Sequence, residues 1–201
     1  MKTTFKAFFI LLTAPGLSAQ TEYSGSSFTI DAKAVSTTDL IITDKGTITD
    51  INVTISASHN DYMGIVDFKL ISPYGTIVDL VTSGTSGKTY DNTTFDDEAS
   101  IAIASGSPPY YGSFKPEGSL SDFDKEELSG TWKLWTYTSD FRTGSVSEWS
   151  IKVVTDDTPP SAPTNLAIVE SGDTSTKLKW SQNSESDVSK YYIYKGTSTN
   201  P

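Results

Sequence analysis

The residues predict an all-β protein built around one β-sandwich, on three observations. Between Phe28 and Val154 apolar and polar residues alternate repeatedly with a period of two. No long segment carries the 3.6-residue period of a helix. The apolar runs are short and separated by Gly, Ser and Pro turns, the pattern of a sandwich or jelly roll. With 201 residues, 36% hydrophobic and 11% aromatic, the chain has enough apolar material for a core and is not of disordered composition.

Taken in order, the first 19 residues read as a signal peptide. Lys2 and Lys6 form a positive start, Ala7 to Leu12 a short apolar run, and Ser18-Ala19 a small-residue cleavage site before Gln20. That run is far below the roughly 20 residues of a spanning helix, so the expectation is a secreted protein with no membrane span. Ile48 to His59 is the clearest strand, with Ile51, Val53, Ile55, Ala57 and His59 on one face. Asp67 to Ser72 and Ile77 to Val81 form a hairpin across Pro73-Tyr74-Gly75. Ser121 to Leu128 has room for one short helical turn, and Thr131 to Tyr137 and Trp149 to Val154 are further strands.

Residues 156–163, with three prolines in eight, form an extended linker that no sheet ladder accommodates. Beyond it, Leu166 to Val169, Thr176 to Trp180 and Tyr191 to Tyr194 read as three strands, fewer than the seven of an immunoglobulin-type sandwich. The expected organisation is signal peptide 1–19, sandwich 20–155, linker 156–163 and a partial second unit 164–201.

Charge and composition exclude several functions. The first 19 residues hold two lysines and no acid, so the remainder has 13 basic residues against 25 acidic ones. Without clustered Lys or Arg, nucleic acid and anionic membrane surfaces are not expected partners, whereas cations are. There is no cysteine, hence no disulfide, thiol catalysis or Cys-ligated zinc, and His59 is the only histidine.

Several motifs, in order, carry a resemblance. His59 is followed by Asp67-Phe68-Lys69-Leu70-Ile71-Ser72-Pro73-Tyr74-Gly75-Thr76, then Phe95-Asp96-Asp97-Glu98-Ala99. Gly112-Ser113-Phe114-Lys115-Pro116, Leu120-Ser121 with Phe123, Gly130-Thr131-Trp132 with Leu134, and Gly144-Ser145-Val146 with Trp149-Ser150-Ile151 complete the series. Phe28 to Val154 thereby resembles the P (Homo B) domain of secreted subtilisin-like serine proteases. The resemblance implies a galactose-binding-like jelly-roll sandwich that lies after a catalytic domain, helps it fold and stay folded, often involves calcium, and cuts no peptide bond itself. Pro163-Thr164-Asn165-Leu166, Leu178-Lys179-Trp180 and Tyr191-Tyr192-Ile193-Tyr194 are similar to the opening strands of a fibronectin type III domain.

Candidate chemistry is sparse. A serine protease needs a base beside its nucleophile, and His59, the one candidate, falls on the inward face of its strand, so no catalytic residue is assigned. Gly84-Thr85-Ser86-Gly87-Lys88-Thr89 lacks the first glycine and the following helix of a phosphate loop, and reads as a surface loop. Asp91, Asp96, Asp97 and Glu98 lie within eight residues and are the candidate calcium ligands, because hard cations take clustered oxygens. Asp140 is a further candidate, although the adjacent Arg142 offers it an internal partner. On Thr131 to Tyr137, Trp132, Leu134 and Thr136 share the inward face, which leaves Trp135 and Tyr137 outward about 7 Å apart. Tyr110 and Tyr111 are expected to join them as a binding surface. Two functions follow as expectations: a non-catalytic accessory P domain partnering a protease catalytic domain, with calcium, or a free-standing secreted adhesion or carbohydrate-binding module partnering an extracellular protein or glycan.

Overall fold

The computed structural model describes residues 20–82, 84–156, 161–172, 174–184, 191 and 193. The expected signal peptide, residues 157–160 of the linker, and Tyr192 and Tyr194 of the last expected strand lie outside the described residues.

Ten strands build the sandwich: β1 (Thr21–Gly25), β2 (Phe28–Ile30), β3 (Val35–Ile42), β4 (Thr47–His59), β5 (Val66–Ile71), β6 (Ile77–Val81), β7 (Thr89–Phe95), β8 (Gly112–Phe114), β9 (Gly130–Thr138) and β10 (Gly144–Asp156). One sheet runs β1-β10-β4-β7-β8, with β2 also on β10, and the other runs β3-β9-β5-β6. Their inner faces share one apolar core, in which Val53, Ile55, Phe68, Leu70, Trp132, Leu134 and Ile151 are fully buried. That core is the direct result of the period-two pattern, since successive strand side chains point to opposite faces. The helical turn expected within Ser121 to Leu128 is a single 3-10 turn at Leu120–Phe123.

The two longest strands, β4 and β10, pair antiparallel over nearly their whole length, from Gly144 opposite His59 to Asp156 opposite Thr47. A bulge leaves Ser147 unpaired between Val146 and Glu148. β10 therefore extends well before the Trp149 start expected from hydropathy, because Gly144 to Val146 pair by backbone with both β2 and β4 in a stretch with little apolar pattern. A Cβ on Gly144 would lie 2.5 Å from the Ser58 carbonyl oxygen, so only glycine permits this approach.

The C-terminal residues form a separate compact unit. Among its described residues, β11 (Ala167–Ser171) pairs antiparallel with β12 (Thr176–Lys179), and Tyr191 packs edge-on against Trp180 at 5.4 Å.

Candidate functional site

Motifs far apart in the sequence touch one another. Ser72 opens the β5–β6 turn: its hydroxyl accepts the Tyr74 and Thr76 N–H groups, and Gly75 takes φ +90°. The ring of Pro73 fills the space above Gly130, where a Cβ would come within 2.5 Å of it. In Phe95-Asp96-Asp97-Glu98-Ala99, Phe95 and Ala99 are buried and the Asp97 carboxylate accepts the Leu120 and Ser121 N–H groups and the Ser119 hydroxyl. Asp97 thus caps a turn more than 20 residues away in sequence, an anion on exposed N–H groups.

His59 is 2% exposed. Its Nδ1 accepts the Asp61 N–H and its Nε2 donates to the Arg142 carbonyl, which settles the tautomer and ties the end of β4 to the loop that leads into β10. Both ring nitrogens are thus engaged by backbone groups. The core-facing expectation holds.

The expected calcium ligands are not gathered in one place. Asp96 accepts the Glu98 N–H at 2.7 Å, and Asp97 is engaged as above. Two further carboxylates, Asp50 on β4 and Asp124 after the 3-10 turn, face the same rim. Partial burial, then the Asp96 and Asp124 charges, push the Asp50 carboxyl up. Asp124 is raised by desolvation and by Asp97. Glu98 is raised by a hydrogen bond shared with Asp96, then by desolvation and by Asp50. Sequence reading missed Asp50 and Asp124, which lie 46 residues before and 28 after Asp96; Asp50 stands apart from any acidic run, and Asp124 belongs to a different one, with Asp122, Glu126 and Glu127.

Asp91, on β7, lies five residues before Asp96, which follows the strand's last residue, roughly 16 Å away at ~3.3 Å per residue. Asp140 is at the other end of the sandwich. It interacts with His59, nine residues from Asp50 on β4 and so ~30 Å away along that strand. There Arg142 bridges Asp140 at 3.3 Å and Asp61 at 2.9 Å. Desolvation works to raise the Asp140 carboxyl, but the Phe141 N–H and the Arg142 guanidinium outweigh it and hold it below its ordinary value. Among the described residues no three His, Asp or Glu side chains converge as a ready metal cage.

The aromatic expectation divides. Trp135 and Tyr137 do point outward from β9, with ring centroids 6.3 Å apart and planes 27° from parallel. Tyr137 is 38% exposed. Tyr110, expected beside them, is instead 2% exposed: its ring packs edge-on against Tyr90 at 5.3 Å and Phe114 at 5.9 Å, and its hydroxyl accepts the Ser86 N–H. The correction has a local cause, because Tyr110 has φ +59° after Pro109 and so does not follow simple strand alternation. Tyr111 is 73% exposed but precedes β8 in the other sheet.

The proprotein convertase P-domain family model matches residues 48–153, from the second residue of β4 into β10. The chain belongs to that family. P domains are non-catalytic accessory domains of secreted serine proteases. Two solved structures are similar to this P domain: the Aeromonas sobria serine protease ASP with the chaperone ORF2 and the Aeromonas sobria serine protease. The first is 16% identical with a TM-score of 0.43, covering 72% of this chain and 28% of the other. The second is 16% identical with a TM-score of 0.40, covering 71% and 28%. The chain thus spans little more than a quarter of those proteases' length. No curated protein matches it. Among the described residues no helix is long and apolar enough to cross a membrane.

Proposed function

We propose that this P domain is secreted and works by docking on and stabilising the catalytic domain of a subtilisin-like serine protease. The observation that carries the reading is the family match across β4 to β10. The mutual anchoring of the motifs supports it, since Ser72-Pro73 packs on Gly130 and Asp97 caps the Leu120 turn. The decisive measurement is the thermal midpoint and refolding yield of a subtilisin-like catalytic domain from the same secretome, with and without this chain. A gain in both is expected. An unchanged midpoint together with unchanged yield would reject the reading.

Calcium belongs to the same proposal, at the rim of Asp50, Asp96, Asp97, Glu98 and Asp124. What supports it is that Asp50 and Asp124, raised first by desolvation, and Glu98, raised first by its hydrogen bond with Asp96, are each raised further by a neighbouring carboxylate, a situation that an oxygen-seeking cation relieves.

A further inference from the structure

The accessory reading assigns no role to the exposed face of the β3-β9-β5-β6 sheet. Its backbone register places side chains in rows. Thr37, Trp135, Lys69 and Asp79 form one row, and Asp39, Lys133, Ile71 and Ile77 the next. Within this grid, Lys69 reaches Asp79 at 2.7 Å, Lys133 pairs with Asp39, and the Lys69 Nζ stands 5.3 Å from the centre of the Trp135 ring. Asp67, opposite Tyr137 on β5, is held half-buried at the edge of the ring pair, where desolvation raises its carboxyl.

We propose that this face binds a neutral polysaccharide, with sugar rings stacked on Trp135 and Tyr137 and their hydroxyls bonded to the flanking Lys–Asp pairs. A pyranose has an apolar C–H face and a rim of hydroxyls, and the surface has the matching parts: two rings with centroids 6.3 Å apart and planes 27° from parallel, framed by donors and acceptors. Covering the rings removes apolar area from water, and the paired charges keep polar partners.

The same charges argue against a protein as occupant. Interface centres are depleted of Lys and Asp, and burying Lys69–Asp79 and Lys133–Asp39 under a protein would desolvate both pairs. They also argue against an anionic glycan, because the face has no cationic excess and the chain is strongly acidic. This inference is independent of the protease reading.

The test is affinity electrophoresis and pull-down of the full chain on cellulose, chitin, xylan and laminarin, with polygalacturonate as the anionic control and gelatin as the protein control. Retention on at least one neutral polysaccharide is expected, weakened at least tenfold by Trp135→Ala and less by Tyr137→Ala, with Trp135→Phe keeping most of it. Circular dichroism of each variant checks its fold, and Lys69→Gln gives a second probe that leaves both rings in place and should also weaken retention. No retention on any of the four, retention on polygalacturonate or gelatin alone, or retention indifferent to Trp135→Ala and Lys69→Gln would each overturn the proposal.

Discussion

The outer face of the six-stranded sheet carries Glu22, Ser24, Thr54, Ser56, Glu148 and Ser150 around a cavity of about 310 Å3, whereas the outer face of the four-stranded sheet carries Trp135, Tyr137 and paired Lys and Asp. The hydroxyl-rich face largely satisfies itself. Thr54 bonds Thr94 at 3.0 Å, Ser58 bonds Ser145 at 3.2 Å, and Ser150 donates to Glu22 at 2.7 Å. The aromatic face leaves ring surface and charged heads turned to solvent. Two sheets with the same alternation and a shared core thus differ in what they offer a ligand. Burial pattern makes the sandwich; residue type at the outward positions makes the site.

The sharpest way to break that comparison lies within β9, where two tryptophans three positions apart face opposite sides of the sheet. Trp132 is fully buried, donates its indole N–H to the Leu128 carbonyl at 2.9 Å and packs edge-on against Phe123. Trp132→Ala is expected to cost about 3–5 kcal/mol, against ~1 kcal/mol or less for Trp135→Ala, both read from urea midpoints. Equal losses would mean that Trp135 is a core residue and that the outer face has no separate role.

Next in size is His59→Leu. It leaves the Asp61 N–H and the Arg142 carbonyl without partners, and about 1–3 kcal/mol of stability should go with them.

A smaller effect sharpens the view of the acidic rim. Asp50, Glu98 and Asp124 all have folded-state values above the ordinary ones of 3.8 for aspartate and 4.5 for glutamate. The folded state therefore holds their protons more tightly than the unfolded chain does. Stability contributed by these groups is fully present below the ordinary values and falls as pH rises through the raised ones. Without calcium the melting midpoint should climb as pH is lowered from 7 toward that range, and Asp50→Asn should raise it by about 1–3 °C at pH 7. With millimolar calcium the midpoint at pH 7 should rise and its pH dependence flatten. A midpoint at pH 7 unmoved by calcium or chelator would remove the cation from the proposal.

The smallest change expected is Lys133→Ala, which opens an exposed ion pair with Asp39 and should alter stability by no more than about 1 kcal/mol.

Much of this was legible because alternation is a local signal. β4, β5, β6 and the two faces of β9 follow from apolar spacing alone, and the inward position of His59 comes with them. β7 was not legible: its Tyr90-Asp91-Asn92-Thr93-Thr94 run is polar, and a bulge at Asn92, φ +47°, shifts its register against β4. Tyr110 escaped for the same reason, its side chain aimed by a left-handed backbone rather than by position in a strand. Phe95-Asp96-Asp97-Glu98-Ala99 was legible as a motif, yet its Asp97 serves as a cap for the Leu120 turn, a role that no spacing within the motif encodes.

By itself the chain's order of residues determined the all-β class, the strand faces and the family, since each depends on neighbours a few positions apart or on short co-linear motifs. Only the folded arrangement decided which acids share a rim, separating Asp91 and Asp140 from Asp96 and bringing in Asp50 and Asp124. It also decided that Trp135 stands in a row with Lys69 and Asp79. Charge repulsion and ring stacking act through space over a few ångströms, and strand pairing alone sets which distant segments come that close.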